Sequence, residues 1–221
     1  MSSWVPFISA LTAFFLSHAI PARAPVRARL ITVLGHRGYL LAYSLLSLVV
    51  LAWLIVAAAN APYVEIIPPW PVLRWVPLVV MPVVCWLAVA GLTISSPFSF
   101  GGLGKAAFDP DRPGILRTTR HPLLAALTLW AGAHLLANGS LSHVILFGLF
   151  AGFAALGMAL IDRRTTRSLG ADWPQLSRNT ARFSLRAPSP WPPLHVWLAS
   201  LAVFAVLIGL HGALIGVSPL P

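Results

Sequence analysis

Four of the seven histidines in the sequence lie within long apolar segments or at their ends: His18, His121, His134 and His211. Ionisable residues inside a membrane span are costly and usually mark a functional site. Imidazole is suited to binding haem iron, with its second nitrogen oriented by a hydrogen bond. One buried histidine is explained by an interhelical hydrogen bond, but four in a small protein favour a cofactor site or a proton path.

The spacing of the histidines limits which of them can share one iron atom. His121 and His134 are 13 residues apart, which is about 20 Å along a helix. They also point to different faces, so one helix cannot supply both to a single iron. We interpret His36, His143 and His195, which lie in a loop, beside a turn and at a segment end, as surface residues.

Aromatic residues lie about one helical turn from two of these histidines. Trp130 precedes His134 by four residues, and Asn138 follows it by four as a candidate orienting partner. Phe14 precedes His18 by four residues. Flat apolar walls beside an imidazole suit a porphyrin, although aromatic residues at helical spacing are also typical of an ordinary core.

The composition predicts the elements that carry these residues. Of the 221 residues, 58% are hydrophobic and 9% are charged, and the mean hydropathy is +0.83. Soluble domains carry about 25% charged residues, so the chain is predicted to be a membrane protein. We predict an all-α, polytopic membrane helix bundle, with residues 1–221 as a single domain. Its six transmembrane helices are predicted at Trp4–Ala22, Gly38–Ala59, Val72–Ser95, His121–Asn138, Leu141–Ile161 and Leu194–Val217.

Basic residues fall on alternate connections between these spans. Fourteen of the fifteen lysines and arginines lie in the first, third and fifth loops. The positive-inside rule makes that face cytoplasmic, with both termini outside. The net charge of +10 is therefore explained by topology and by contact with the lipid bilayer. It does not predict a nucleic-acid partner, because the sequence has no folded basic domain with base-stacking aromatic residues.

Two segments beside the spans have their own charge patterns. Arg23, Arg27 and Arg29 follow the first apolar segment and no basic residue precedes it, which predicts a retained first span rather than a cleaved signal peptide. Residues 162–193 predict a basic amphipathic helix followed by an irregular strap. Lying along the inner membrane interface is its expected position.

Long, ordered stretches of the sequence resemble the NnrU family of bacterial membrane proteins. They are FLSHAIPARAPVRARL, LGHRGYLLAYSLLSLVVLAWLI, TRHPLLAALTLWAGAHLLANG and the closing HGALIGVSP, and they are distributed over most of the chain. The resemblance implies a bacterial inner-membrane protein associated with nitrogen-oxide metabolism and denitrification, and the charge distribution above makes its termini periplasmic.

The NnrU family is related to 15-cis-zeta-carotene isomerase, an integral membrane enzyme that uses haem b. The resemblance therefore implies haem b as the cofactor, with His18 and His134 as candidate iron ligands. The predicted topology places these two at depths that differ by about 10 Å. His211 matches the depth of His134 better, and His121 matches that of His18, so the ligand pair stays open.

A second resemblance points to a different function. The Arg-His-Pro corner at residues 120–122, followed by a span and by LGADWPQL, resembles isoprenylcysteine carboxyl methyltransferases. In that family the corner helps to hold S-adenosylmethionine near a span that carries a catalytic glutamate. Here the corresponding place reads Asp162, Arg163, Arg164, without a paired glutamate.

Three functions follow as hypotheses. The first is a haem-binding protein of the NnrU type, acting as an isomerase-like enzyme or as an accessory factor. The alternatives are an S-adenosylmethionine-dependent methyltransferase and a non-catalytic accessory subunit. Arg117, Arg120 and Arg163 are candidates to bind an anion, either a haem propionate or a cofactor carboxylate, and ordinary positive-inside charge is the favoured alternative for each. The expected partners are the bilayer, a hydrophobic small-molecule substrate and other membrane proteins.

Overall fold

The computed structural model of the chain describes residues 3–99, 104 and 108–221. Lys105, one of the basic residues predicted in the third loop, lies outside these residues. The described residues form two compact units. The first unit comprises Met1–Ile66 and Ser140–Leu146, and the second unit comprises Ile67–Gly139 and Phe147–Pro221.

The all-α prediction is confirmed. The described part of the chain contains seven α-helices, joined by short 3-10 turns and irregular segments. They are α1 (Val5–Ala22), α2 (Ala24–Ala59), α3 (Trp75–Thr93), α4 (Pro122–Ala137), α5 (Leu141–Leu169), α6 (Trp173–Ser177) and α7 (Leu194–Ile215).

The apolar helices coincide with the six predicted spans. Within the described residues, four helical stretches are long and apolar enough to cross a bilayer: Ala24–Ala59, Pro71–Thr93, Leu141–Ser177 and Leu194–Ile215. Helices α1 and α4 are apolar but shorter. The 16 residues of α4 cover about 24 Å of the ~30 Å hydrocarbon core. The chain is an integral membrane protein, and six is an approximate count of its spans.

In the first unit, α1 and α2 pack against each other. Arg23, between them, is extended (φ −63°, ψ 132°), and Pro25 lies in the first turn of α2, where its missing N–H is tolerated. The hydroxyl of Tyr39 donates a hydrogen bond to the carbonyl of Pro21 across the connection (3.2 Å). The connection between α1 and α2 is thus a single extended residue, and one side-chain hydrogen bond holds the two helices together beside it.

The residues before Gly38 differ from the sequence prediction of a loop. They are helical from Ala24 onward, and α2 is kinked at Gly35, which has φ +70° and ψ 167°. Glycine enters this left-handed region without steric cost. Arg27 and Arg29 are good helix formers, so the basic segment continues the helix rather than forming a loop.

The core of the second unit is built around α3, which packs against both α4 and α7. Gly91 permits the close approach to α4, because a Cβ added there would lie 2.8 Å from Cγ of Pro122. The two helices run antiparallel from this contact. The buried hydrophobic core comprises Val84, Leu87, Ala90, Phe98, Ile115, Leu116, Leu124, Ala125, Ala126, Ala154, Met158 and Val196.

At one end of the second unit, the start of α3 meets the end of α4 and the C-terminal tail. The N–H of Ile67 donates to the carbonyl of Gly139 (3.0 Å), and the guanidinium of Arg74 donates to the carbonyl of Leu220 (2.9 Å). We call this the Arg74 end. The opposite end, where α3 finishes beside the start of α4, carries the polar cluster described below.

The helix of the fifth span is longer than the predicted span. Helix α5 continues from the predicted end at Ile161 to Leu169. Leu169, Trp173 and Leu176 pack against the hydrophobic core of the second unit. Residues 178–193, which we call the strap, are irregular as predicted and lead into α7.

Replacing Gly91 with valine is expected to destabilise the protein, because the new side chain overlaps Pro122 and overpacking of this kind costs about 1–3 kcal/mol. The midpoint of thermal unfolding in detergent should fall. Gly209→Val is the matched control, since nothing lies within 4 Å of an added Cβ on that glycine of α7. Equal midpoints for the two variants would contradict the close packing of α3 on α4.

Candidate functional site

Asp162 is the centre of the polar cluster in the second unit. It follows the apolar part of α5 directly and is 3% exposed. A buried carboxylate is costly unless it is paired and fully hydrogen-bonded. The residues that pair with Asp162 therefore determine the structure of this end of the unit.

Four N–H donors converge on the two carboxylate oxygens of Asp162. Arg120 binds with both arms, from Nε to Oδ1 (3.2 Å) and from Nη2 to Oδ2 (2.9 Å). His121 places Nε2 2.9 Å from Oδ1, and Nε of Arg182 donates to Oδ2 (2.8 Å). Since a carboxylate offers about four acceptor positions, the group is saturated.

The Arg-His-Pro corner holds two of these partners in place. Pro122 occupies the first turn of α4, and a residue before proline is disfavoured in the helical region. His121 is accordingly non-helical (φ −125°, ψ 61°), and its N–H donates to Oγ1 of Thr119 (3.1 Å). The N–H of Arg120 donates to the carbonyl of Ala181 (2.6 Å), so the corner is tied to the strap.

The strap is fixed by the two threonines that precede the corner. Oγ1 of Thr118 donates to the carbonyl of Arg186, and Oγ1 of Thr119 donates to the carbonyl of Arg182, both at 2.8 Å. The N–H of Ser184 donates to the carbonyl of Thr118 (2.8 Å). These bonds set the backbone of Arg182 in position to reach Asp162.

His121 is completely buried. Its Nδ1 has no hydrogen-bond partner among the described residues, whereas its Nε2 faces the carboxylate. A buried N–H without an acceptor is costly, so the contacts favour the neutral tautomer with the proton on Nε2; this tautomer is assigned from the network. His121 thus acts as a neutral donor that holds Asp162.

An open pocket of about 430 Å³ lies beside this cluster. The guanidinium carbon of Arg120 lies 5.2 Å from the centre of the Trp173 ring, a stacking distance. Four guanidinium groups and one carboxylate surround the pocket. Its lining residues are Arg120, Asp162, Arg163, Thr166, Arg167, Trp173 and Arg182, and we call it the arginine pocket.

His18 lies in the first unit, on α1. Its Nδ1 is 2.7 Å from the carbonyl of Phe14, which makes Nδ1 the protonated nitrogen. The Phe14 and Tyr43 rings lie 4.3 Å and 6.0 Å from the imidazole, centre to centre. Nε2 makes no hydrogen bond to any described residue.

His134 lies near the end of α4 in the second unit and repeats this arrangement. Its Nδ1 donates to the carbonyl of Trp130 (2.8 Å), and the rings of Trp130 and Phe147 lie 5.3 Å and 5.6 Å away. The predicted orienting role of Asn138 is not observed: its amide donates to the backbone carbonyl of His134 (2.8 Å). The i−4 carbonyl is the closer partner for the ring.

His211, on α7, completes the set of histidines with an oriented ring. Its Nδ1 donates to the carbonyl of Val217 in the C-terminal tail (2.8 Å). The tail is also bound by Arg74, so His211, like His134 near the end of α4, lies toward the Arg74 end of the second unit.

Comparison with known families identifies the family to which the chain belongs. The family described as NnrU protein matches residues 6–219. The chain belongs to the NnrU family. No curated protein and no solved structure matches it.

Some residues predicted for this NnrU-family site are brought together, and others are not. Arg120 and His121 share Asp162, whereas His134 and His211 lie toward the Arg74 end of the same unit. His18 belongs to the first unit. Arg117 lies in the 3-10 turn Ile115–Arg117, and its side chain makes no hydrogen bond to a described residue.

The surface interpretation of the other histidines holds for two of the three. His36 and His195 are exposed, but His143 is half-buried and its Nδ1 lies 2.7 Å from the hydroxyl of Ser140. Within the described residues, no group of three His, Cys, Asp or Glu side chains is placed to hold a metal ion.

The residue that the sequence interpretation missed is Asp162, together with its partner Arg182. The sequence contains only five acidic residues, and Asp162 directly follows an apolar span. A scarce acid at that place is a usable signal of a paired, buried charge. Nothing local in the sequence marks Arg182, because its contact with Asp162 spans 20 residues.

Asp162→Asn is expected to destabilise the protein strongly, because breaking a buried ion pair costs about 3–5 kcal/mol and Arg120 would keep its charge without a counter-ion. The midpoint of thermal unfolding in detergent measures the effect. Asp111→Asn, which removes the exposed pair with Arg178, is the control and should change the midpoint little. Similar midpoints for both variants would show that Asp162 does not organise this end of the unit.

Proposed function

We propose that this NnrU-family membrane protein binds haem b and that His134 would hold its iron. The supporting observation is the orientation of the ring. Nδ1 donates to a backbone carbonyl, which leaves the lone pair of Nε2 for iron. Metal-binding histidines usually donate their other nitrogen in this way. Bound haem would supply iron-centred chemistry that this residue set lacks by itself.

The surroundings of His134 fit a porphyrin. The rings of Trp130 and Phe147 give flat apolar surfaces beside the imidazole. Such surfaces suit the apolar face of a planar macrocycle. They would also exclude water from the ligand position.

Two further histidines are candidates to hold the haem together with His134. His18 is implied by the family resemblance, and its Nδ1, like that of His134, bonds to a backbone carbonyl. His211 belongs to the same unit as His134, and its Nδ1 donates to the carbonyl of Val217. Either residue would present Nε2.

The basic partner for a haem propionate is proposed to be Arg74 rather than Arg120. Arg120 precedes His134 by 14 residues, which is about 20 Å along α4, and it is committed to Asp162. The turn Pro71–Arg74 packs against α4 as well as α3. Arg74 is thus the arginine of the second unit that lies at the same end as His134.

The proposed biological role follows the family resemblance: a bacterial inner-membrane protein in nitrogen-oxide metabolism, acting as an isomerase-like enzyme or an accessory factor. A hydrophobic small molecule is its proposed substrate class. A second pocket of about 430 Å³, between the end of α3 and the strap, is lined largely by apolar residues and is a candidate for it. In contrast, the methyltransferase hypothesis has no supporting contact, since Arg120 and His121 bind Asp162.

His134→Ala is expected to abolish the Soret absorption of protein expressed with added haem and purified in detergent, because the iron loses its oriented imidazole. Oxidised and reduced absorption spectra measure it. His195→Ala, at an exposed position of α7, is the matched control and should keep the wild-type haem content. Wild-type protein without a Soret band would overturn the haem proposal, and full haem in His134→Ala would overturn this ligand alone.

The same spectra separate the two candidates for the second ligand. The substitution that removes a residue holding the haem, His18→Ala or His211→Ala, should shift the Soret maximum or lower the haem content. The other substitution should leave the spectrum unchanged.

The proposed orientation puts the arginine pocket in the cytoplasm and the Arg74 end outside. It is supported by the charge distribution, since one lone arginine lies at the Arg74 end and the strap end carries many. Alkaline phosphatase fused after Pro221 should be active, and green fluorescent protein at the same place should be dark. The reverse result would invert the topology.

A further inference from the structure

The arginine pocket has more positive charge than its own residues can neutralise. Asp162 is the carboxylate in its lining, and both oxygens are filled by Arg120, His121 and Arg182. No acceptor position is left on Asp162 for the other two arginines of the lining. The excess must be balanced by solvent ions or by a bound anion.

Arg163 and Arg167 are these two arginines. The side chains of both arginines line the pocket. Neither side chain makes a hydrogen bond or an ion pair with a described residue. They are four residues apart on α5, so their side chains lie on the same face, where like charges destabilise a helix. An anion between them would remove that repulsion.

Further donors in the pocket are also available. Nη1 and Nη2 of Arg182 are not used by Asp162, which takes only Nε. The hydroxyl of Thr166 makes no hydrogen bond with a described residue. Trp173 forms a fixed apolar wall, because its ring packs against the core. Several N–H forks and a hydroxyl around one space suit the oxygens of a phosphate group.

The neighbouring surface of α5 indicates where such a phosphate comes from. Leu156 and Leu160 are 54% and 51% exposed, and they precede Arg163 and Arg167 at helical spacing. All four lie along one face of α5. An apolar stripe therefore leads directly into the pocket at the end of the apolar span, as acyl chains lead to a headgroup.

We propose that the arginine pocket binds the phosphate of an anionic phospholipid headgroup, with the acyl chains along Leu156 and Leu160. Arg163 and Arg167 bind the phosphate oxygens, Arg182 and Thr166 add donors, and Asp162 holds Arg120 and Arg182 in position. General positive-inside charge needs only that arginines lie on this face. It does not need them to converge around one space.

The test uses the full-length protein in detergent and native mass spectrometry with added phosphatidylglycerol. The double variant Arg163→Gln/Arg167→Gln should bind this lipid about tenfold more weakly or worse, because charge-assisted hydrogen bonds are lost. The control, Arg164→Gln/Arg186→Gln, removes the same charge from two exposed arginines outside the lining. It should bind like the wild type.

Two further arms decide between sources of the anion. Zwitterionic phosphatidylcholine should bind the wild type weakly, and inorganic phosphate should not compete at millimolar concentration. Competition by inorganic phosphate without lipid selectivity would overturn the lipid proposal and leave a free-anion site. Equal loss of lipid in both double variants would show non-specific charge attraction and overturn the pocket.

A folding control keeps the outcome interpretable. Arg163→Lys/Arg167→Lys retains the charge but not the planar fork, so it should bind with intermediate affinity. Gel filtration and helical circular dichroism must match the wild type for each variant that is scored. If the lysine variant and the glutamine variant both bind like the wild type, these arginines are not the ligands.

Discussion

The carboxylate of Asp162 imposes the strongest constraint on the second unit. It is placed where water is almost excluded, so all of its acceptor positions must be filled by the protein. That requirement joins three parts of the chain that are far apart in sequence. The start of α4 supplies Arg120 and His121, α5 supplies the carboxylate, and the strap supplies Arg182. The pocket beside it owes its shape to the same bonds.

The polar groups of the second unit are divided between its two ends. At one end, the carboxylate of Asp162 is paired with Arg120 and Arg182, and the neutral imidazole of His121 donates a third partner bond to it. Toward the Arg74 end, His134 and His211 satisfy Nδ1 with backbone carbonyls and keep Nε2 uncommitted. The first end thus uses its polar groups to pair a buried charge, and the second leaves two imidazole nitrogens without a hydrogen bond to a described residue. One helix, α4, links them along its length.

Much of the helical fold could be predicted from the sequence, because each span is a long apolar run and needs only local information. The family and the candidate histidines can also be read from local stretches of sequence. The helical structure of residues 24–37 could not be predicted in this way, since arginine-rich segments are compatible with both loop and helix. The contact of Asp162 with Arg182 could not be predicted, because it depends on how the strap folds back. The i−4 carbonyl bond of His134, by contrast, follows from helix geometry alone.

The position of Asp162 between its partners has a consequence for biogenesis. Arg120 and His121 are translated before the carboxylate, whereas Arg182 leaves the ribosome 20 residues after it. The chain therefore supplies two of the three partners before the acid and the third after it. The strap that carries Arg182 also holds the corner, through the carbonyls of Ala181, Arg182 and Arg186. The buried charge can thus be fully paired only once the strap has been synthesised, just before α7.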